Sequence, residues 1–345
     1  MHLLTNTKPI PTGNLFGHIM PGTWLMHDRT AFELGVIAER GTVTRIEKFD
    51  HTSISGLGKR VMIMRSGAFG DLLLASPAIQ VFKGLNQGIH LTLCCINSRA
   101  QLFDNTNLFD NIVDYPLPAS EITNYDQIIT LEDVIETSEK HATDAFADAL
   151  NVSVINYRPS FRLTIDEIRY AKRHFNGERK KVAIQLRAGV LNRDYPAHLW
   201  QPVLLGLEDA GWEIMLLGVR NQIPPLPEPL RRPYIREIYL KDLSFRETAA
   251  VIANCDLFIG PDSSLLHVAH AVGIKSIGLF GPIKPELRIS AHQDCIPLHG
   301  EVSCKGCGWN FHNGMHFPPN KPCFQKNLCG SMAAIDPNEI LKLAK

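Results

Sequence analysis

The sequence lacks the features that mark several protein classes. No apolar run approaches the roughly 20 residues that a bilayer-spanning helix needs, and the start of the chain has no basic stretch followed by an apolar one, as a secretory signal would. Neither sign of charge dominates, because 35 Lys and Arg balance 35 Asp and Glu, so a general electrostatic affinity for nucleic acid is not expected. Eight cysteines in 345 residues do not make a disulfide scaffold. These absences favour a cytoplasmic protein without a transmembrane segment.

The composition that remains is that of a globular protein. Hydrophobic residues make up 45% and charged residues 20% of the chain, which excludes an intrinsically disordered protein. A chain of 345 residues is longer than one hydrophobic core usually supports. Two domains are therefore expected.

Residues 1–59 differ from the rest and predict a small β-rich appendage. Short strands are predicted over Thr23–Met26, Phe32–Ala38 and Thr42–Lys48, because these stretches are rich in aromatic and β-branched residues.

From residue 60 onward the pattern alternates between buried strands and amphipathic helices. This pattern forms two successive βαβ sets, one over residues 60–178 and one over residues 179–300. It predicts an α/β protein with two doubly wound sheets and a cleft between them. Residues 301–345 form a cysteine-rich segment followed by a closing helix, with Asp336 as its cap.

The first candidate site follows the strand Val61–Met64 and opens a helix. It reads Arg65-Ser-Gly-Ala-Phe-Gly-Asp71. Gly67 and Gly70 allow the backbone to approach a ligand closely, and Ser66 lies in the same loop. Asp71 is either a carboxylate that caps the helix or a general base that faces the cleft.

The second candidate site has the same strand–turn–helix form, Gly260-Pro-Asp-Ser-Ser-Leu-Leu-His267. Asp262, Ser263 and Ser264 stand at the helix start, and His267 lies one turn further on the face of Ser263. Such a terminus suits a diphosphate, because its N–H groups and its dipole attract negative charge. A well-capped helix with a partly exposed histidine explains the pattern equally well.

The third candidate site is the loop Arg187-Ala-Gly-Val-Leu-Asn-Arg-Asp-Tyr-Pro196. Arg187 and Arg193 offer positive charge to a phosphate, and Gly189 allows close backbone approach. A solvated loop is the alternative, since arginines are common there.

Four cysteines crowd into the last part of the chain: Cys304, Cys307, Cys323 and Cys329. The pair Cys304-x2-Cys307 has the spacing of a zinc knuckle, although the second pair is wider. The spacing favours a structural metal, with His312 and His316 as substitute ligands, over four reduced thiols. Thiolates suit both Zn and Fe, so the sequence leaves the metal open.

Taken together in this order, the motifs resemble glycosyltransferase family 9, the ADP-heptose:lipopolysaccharide heptosyltransferases. The family's R-x-S-x-x-G-D-x5-P pattern corresponds to Arg65–Pro77, with Gly67 at the position of its Ser, and its second signature corresponds to Asp262–Ala271 with Leu279-Phe-Gly-Pro282. The basic residue before an aromatic-Pro pair is present in Arg193–Pro196. The resemblance covers about residues 60–345. The sequence departs from the family pattern at Ser264, which replaces a Gly, and at Arg193, which replaces a Lys.

The resemblance implies a GT-B fold of two facing Rossmann-like domains, with the acceptor bound by the first and the nucleotide sugar by the second. It implies that Asp71 is the general base and that Arg193 contacts the donor phosphate. The residues implied in donor binding are Arg187, Gly189, Leu243, Asp262, Ser263, Ser264 and His267. It also implies an acceptor-side loop made of Ser66, Gly67 and Gly70. Many members of the family carry a similar cysteine segment, and an iron-binding cysteine motif is described for the protein-modifying branch. Residues 1–59 resemble the extra N-terminal module of that branch; the alternatives are that they select a protein acceptor or form an oligomer interface.

The expected reaction is inverting transfer of a heptose or related sugar, from ADP-heptose by default, to a hydroxyl of a lipopolysaccharide core or a protein. No cofactor is expected in the chemistry, because a helix terminus and an arginine can stabilise the leaving diphosphate. A cytoplasmic location is expected, with peripheral attachment to the inner membrane as a variant. Two alternatives are a non-catalytic module that binds nucleotide sugars or assembles with partners, and a nucleotide-sugar epimerase.

Overall fold

The computed structural model describes residues 1–11, 18–38, 42–48, 58–218, 227–238, 242–289, 292, 294–307 and 329–345. Two compact units make up the chain. The first unit comprises Met1–Ser138 and Thr143–Val154, and the second comprises Glu139–Ala142 and Ile155–Lys345.

The N-terminal segment contains strands and one helix: β1 (His2–Asn6), β2 (Ile10–Pro11), β3 (His18–Ile19), β4 (Gly22–Met26), α1 (Asp28–Ile37) and β5 (Val43–Lys48). The strand predicted over Phe32–Ala38 is wrong, because this stretch lies in α1. Ala31 and Leu34, three residues apart, are buried on one side of the helix, whereas Phe32 is 68% exposed. Burial at helical spacing therefore outweighs the strand preference of the aromatic and β-branched residues.

The main sheet of the first unit is parallel. This part of the chain contains β6 (Arg60–Met64), α2 (Phe69–Leu85), β7 (His90–Cys95), β8 (Asn111–Asp114), β9 (Leu117–Pro118), β10 (Gln127–Thr130) and α3 (Ala142–Ala149). The strand order is β10-β6-β7-β8. Because β6 lies inside this sheet, it is an almost continuous apolar run.

The N-terminal segment shares one hydrophobic core with this sheet. Leu4 and Leu25 pack in the same cluster as Met62 and Met64 of β6. The short strand β9 follows β8 along the chain but pairs with β4 of the N-terminal segment. The result is a second, antiparallel sheet of order β5-β1-β4-β9.

The second unit holds a six-stranded parallel sheet of order β13-β12-β11-β14-β15-β16. Its elements are α4 (Ile165–Ala171), β11 (Lys181–Gln185), α5 (Ala197–Asp209), β12 (Glu213–Leu217), β13 (Ile235–Glu237), α6 (Phe245–Ala253), β14 (Leu257–Pro261), α7 (Ser264–Val272), β15 (Ser276–Phe280), β16 (Cys295–His299), α8 (Gly330–Ala333) and α9 (Pro337–Leu343). The predicted alternation of strands and helices is confirmed in both units, whereas β13 and β16 were not predicted. Residues 155–178, which the sequence placed with the first domain, lie in the second unit, where Arg246 Nε donates to Glu167 Oε1 at 2.6 Å.

Candidate active site

A buried arginine organises the first candidate site. The Arg65 side chain is 1% exposed. Its guanidinium donates to Asp71 Oδ2 at 3.0 Å, to Glu136 Oε1 at 2.9 Å and to the Leu131 carbonyl at 3.0 Å. Burial alone lowers the pKa of Arg65, but the carboxylates of Asp71, Glu136 and Glu132 outweigh it and raise that pKa. The arginine is thus a fixed positive charge that orders three carboxylates.

Asp71 takes the capping role, one of the two that the sequence left open. It is the third residue of α2, and its Oδ2 also accepts from the Ala68 N–H at 3.0 Å, which is one half of a capping box. Its side chain is nevertheless 26% exposed. Helix capping and the ion pair to Arg65 fix a carboxylate that a substrate hydroxyl can still reach.

Glu132 and Glu136 were not predicted, because they follow β10 and lie more than 60 residues away from Arg65 in the sequence. Glu132 is the more enclosed of the two, and its carboxylate accepts from the Ser66 N–H. Burial raises the pKa of Glu132, although Arg65 opposes this shift. Ser66, predicted in the acceptor-side loop, is therefore held by its backbone.

The two glycines of the acceptor-side loop have different positions. A Cβ on Gly67 would lie 2.5 Å from Asp71 Oδ2 and 2.6 Å from Arg65 Nε, so only glycine leaves room for this ion pair. Gly70 is buried within α2.

The second candidate site lies where β14 meets α7. Asp262 and His267 are both 3% exposed. Arg193 Nη1 lies 3.2 Å from Asp262 Oδ2 and donates to the Asp262 carbonyl at 3.2 Å. His267 Nε2 lies 4.0 Å from Asp262 Oδ1. Asp262 therefore places the Arg193 guanidinium beside the N-terminus of α7, where the helix dipole is positive.

A polar chain joins this helix start to the Arg187 loop. The Ser263 hydroxyl donates to Gln185 Oε1, and Gln185 Nε2 donates to the Arg187 carbonyl at 2.8 Å. Arg187 Nε donates to Asp194 Oδ2 at 2.8 Å, and the Ala188 N–H donates to Asp194 Oδ1 at 2.7 Å. The structure brings the second and third motifs together through Gln185 and Asp194, neither of which was predicted as a site residue.

Three further residues predicted to bind the donor occupy distinct places in the second unit. Gly189 has φ +80°, a conformation that favours glycine, and apart from its chain neighbours no atom of the described residues lies within 4 Å of where its Cβ would be. Ser264 is the first residue of α7. Leu243 is half-buried beside Ser244, which caps α6: the Ser244 side chain accepts from the Glu247 N–H.

A cluster of buried histidines adjoins His267. The ring of His292 stacks on His270 with centroids 3.8 Å apart and meets His267 edge-on at 5.5 Å and His141 at 6.4 Å. Burial and the neighbouring histidines hold the pKa of His292 far below its usual range, and burial lowers the pKa of His270 to about 4. His270 and His292 are therefore neutral at pH 7. No local sequence pattern predicts this histidine cluster, because His141 and His292 lie far apart along the chain.

The cysteine-rich segment is described in part. Cys304 and Cys307 are exposed in a turn that the Gly306 N–H ties to the Gly281 carbonyl at 2.9 Å. Cys329 is buried, and the pKa of its thiol is raised by burial and, to a lesser extent, by Cys307 and Cys304. Cys323 lies outside the described residues, as do His312 and His316. Among the residues that the structure describes, no group of three or more His, Cys, Asp or Glu is arranged to hold a metal ion.

The two sites offer complementary chemistry. The first presents a fixed, accessible carboxylate at a helix start, which is suited to accepting a proton from a hydroxyl. The second presents an arginine and a positive helix terminus, which are suited to a diphosphate. Within the described ranges, no helix is both long and apolar enough to cross a membrane.

Comparison with known proteins gives one family and several structures. The model of glycosyltransferase family 9 (heptosyltransferase) matches residues 122–297, just over half of the chain. No curated protein sequence matches significantly.

Three solved structures illustrate the shared GT-B fold. ADP-heptose lps heptosyltransferase II of E. coli is 12% identical, with 83% of this chain and 97% of that chain covered and a TM-score of 0.59. The iron-containing dodecameric glycosyltransferase TibC of enterotoxigenic E. coli is 13% identical, with 99% and 90% covered and a TM-score of 0.58. A family 9 glycosyl transferase of Veillonella parvula is 17% identical, with 70% and 86% covered and a TM-score of 0.57. TibC has also been solved in complex with ADP-D-beta-D-heptose.

The ordered motifs, the two parallel α/β sheets and the family match agree with one another. The chain belongs to glycosyltransferase family 9, the heptosyltransferase family, and is a glycosyltransferase of GT-B fold.

Proposed function

We propose that the protein transfers a heptose or related sugar from ADP-heptose to an acceptor hydroxyl, with inversion at the anomeric carbon. The observation that carries this proposal is the Asp71 carboxylate, which Arg65 and the start of α2 hold in place while a quarter of its side chain stays exposed. The complex of TibC with ADP-D-beta-D-heptose supports the choice of donor. A lipopolysaccharide core and a protein are both acceptor classes for this reaction.

The donor diphosphate is assigned to the N-terminus of α7. Its negative charge grows as the glycosidic bond to the sugar breaks, and the helix dipole together with Arg193 stabilises that charge. Asp262 orients Arg193 rather than binding phosphate, since two negative groups would repel each other. Arg187, Gly189 and the chain through Gln185 shape the rim of this donor site.

The acceptor hydroxyl is assigned to Asp71. As the oxygen attacks the anomeric carbon, its proton passes to the carboxylate, and the nucleoside diphosphate leaves from the opposite face. The ion pair with Arg65 orients the Asp71 carboxylate before the acceptor arrives.

The four cysteines are assigned to one structural Zn or Fe ion outside the reaction centre. The turn that holds Cys304 and Cys307 is hydrogen-bonded to the Gly281 carbonyl, and Cys329 Sγ would lie 2.9 Å from a Cβ on Gly281. The surroundings of Gly281 thus bring this turn and Cys329 into one part of the second unit, which supports the assignment. Cys323 would complete a four-thiolate set of the kind that binds Zn or Fe.

The general base is tested by exchanging carboxylates on the same guanidinium. Asp71→Asn should lower the turnover number by on the order of 10²–10⁴ while leaving ADP-heptose affinity nearly unchanged. Glu136→Gln is the matched control, because Glu136 also pairs with Arg65 and is more exposed. If Glu136→Gln loses as much turnover as Asp71→Asn, or if Asp71→Asn keeps wild-type turnover, Asp71 is not the base.

A further inference from the structure

A groove of about 450 Å³ in the first unit has no role in the proposed chemistry. We call it the Trp24 groove, and its walls include Met20, Trp24, Asp114, Pro116, Pro118 and Glu121. The volume falls in the range of ligand sites in proteins.

The groove is built jointly by the N-terminal segment and the main fold. Trp24 of β4 is the cross-strand partner of Pro118 of β9. The Trp24 indole N–H donates to the Met20 carbonyl at 3.0 Å, which fixes the plane of the ring. The indole ring and the prolines therefore form rigid apolar walls.

The groove lies at the edge of the sheet where ligands bind in α/β folds. Asp114 ends β8, and the loop that leads to Asp71 follows β6. These parallel strands are separated by β7 alone, so the two loops are on the order of 10 Å apart at a strand spacing of about 4.8 Å. An extended peptide covers that distance in roughly three residues.

The charge of the groove is negative. Asp114 is exposed and Glu121 is half-buried. Asp114 accepts from the Asn97 N–H at 2.9 Å, and neither carboxylate forms an ion pair with a lysine or arginine in the described part of the chain. The described residues that line the groove include one histidine, His18, but no lysine or arginine. Arg99, a cation at this edge of the sheet, stacks over Phe69 with its Cζ 5.7 Å from the ring centroid and is not a lining residue.

Two carboxylates and an indole ring that line one groove fit a cation with a flat or aliphatic body. An arginine or lysine side chain gains an ion pair with the carboxylates and a cation–π contact with the ring. A phosphorylated or carboxylated oligosaccharide would instead be repelled.

We infer that the Trp24 groove binds a basic side chain of a polypeptide acceptor, about three residues from the hydroxyl presented to Asp71. This inference rests on the proposed function and selects a polypeptide over an anionic glycolipid as acceptor. It also gives the N-terminal segment a role, since β4 supplies one wall of the groove.

The test uses the full chain and blocked peptides. The probe is Gly-Gly-Ser-Gly-Gly-Arg-Gly, compared by titration calorimetry with the same peptide carrying Glu in place of Arg. The Arg peptide should bind wild-type protein and the Glu peptide should not. The double variant Asp114→Asn/Glu121→Gln should weaken Arg-peptide binding at least about fivefold, and Glu121→Lys should reverse the preference. Glu178→Gln, an exposed carboxylate in the second unit, is the matched control and should change nothing.

Three outcomes overturn the inference: no binding of the Arg peptide up to about 10 mM, equal binding of both peptides, or an affinity that the double variant leaves unchanged. A lipid-free inner-core oligosaccharide is the competing probe. Its binding to wild type, with no competition from the Arg peptide, would identify an anionic glycolipid acceptor and also overturn the inference. The shift in melting temperature that ADP-heptose produces is measured separately. If ADP-heptose does not raise the melting temperature, the proposed function is overturned, whereas the peptide titrations still test the groove.

Discussion

Substituting Gly67 by alanine should displace the carboxylate of Asp71, the candidate base, although Asp71 itself is not substituted. The new Cβ would lie 2.5 Å from Asp71 Oδ2 and 2.6 Å from Arg65 Nε, whereas ordinary contacts begin near 3.4 Å. The carboxylate or the buried guanidinium must therefore move by about 1 Å. A shift of that size at a reacting group can cost about 10² in rate. Overpacking of this kind should lower the free energy of unfolding by about 1–3 kcal/mol.

Two measurements separate the effect on catalysis from the effect on stability. Turnover is followed as release of nucleoside diphosphate from the donor, and the free energy of unfolding is obtained from urea titration. Gly84→Ala is the matched control, since it introduces the same methyl group at an exposed position of α2, where no described atom outside the helix's own backbone lies within 4 Å. It should leave turnover unchanged and stabilise by up to about 1 kcal/mol, the helix preference of Ala over Gly. If Gly67→Ala retains both the turnover and the stability of wild type, the tight ion pair at Asp71 does not govern activity.

Three further predictions concern the second unit. Arg193→Ala should weaken ADP binding about tenfold to a hundredfold in calorimetry but leave adenosine binding unchanged, with Arg193→Lys intermediate; equal losses for both ligands would remove Arg193 from the phosphate site. Burial keeps His270 and His292 neutral in the folded state, because it holds their pKa values below the unfolded value of about 6.5. The free energy of unfolding should therefore have its full value above about pH 6.5 and decrease as the pH drops below it. Urea titrations from pH 7.5 to 5 should show a shallower fall for His292→Gln, and an identical slope would contradict the buried neutral cluster. Elemental analysis should find about one Zn or Fe per chain and much less in a Cys304→Ser/Cys307→Ser variant; wild-type protein without metal would refute the structural site.

Local sequence was sufficient to locate the secondary structure that carries the sites. Apolar runs marked the buried strands β6, β11 and β14, and glycine and capping residues marked the helix starts that follow them. Asp71 and Ser263 could be placed at such starts because these signals act over a few residues. The same local signals failed in Phe32–Ala38, where burial against the N-terminal sheet decided for a helix.

The sequence by itself determined the family, the order of the α/β elements and the positions of the motif residues in their loops, because each of these depends on neighbours along the chain. Only the tertiary structure decided the partners of those residues. Glu136 reaches Arg65 across 71 positions, His141 and His292 meet in one cluster, and Trp24 forms a groove wall with Pro118. Such contacts depend on how strands and loops pack in three dimensions, and a single sequence carries no local pattern that pairs residues so far apart.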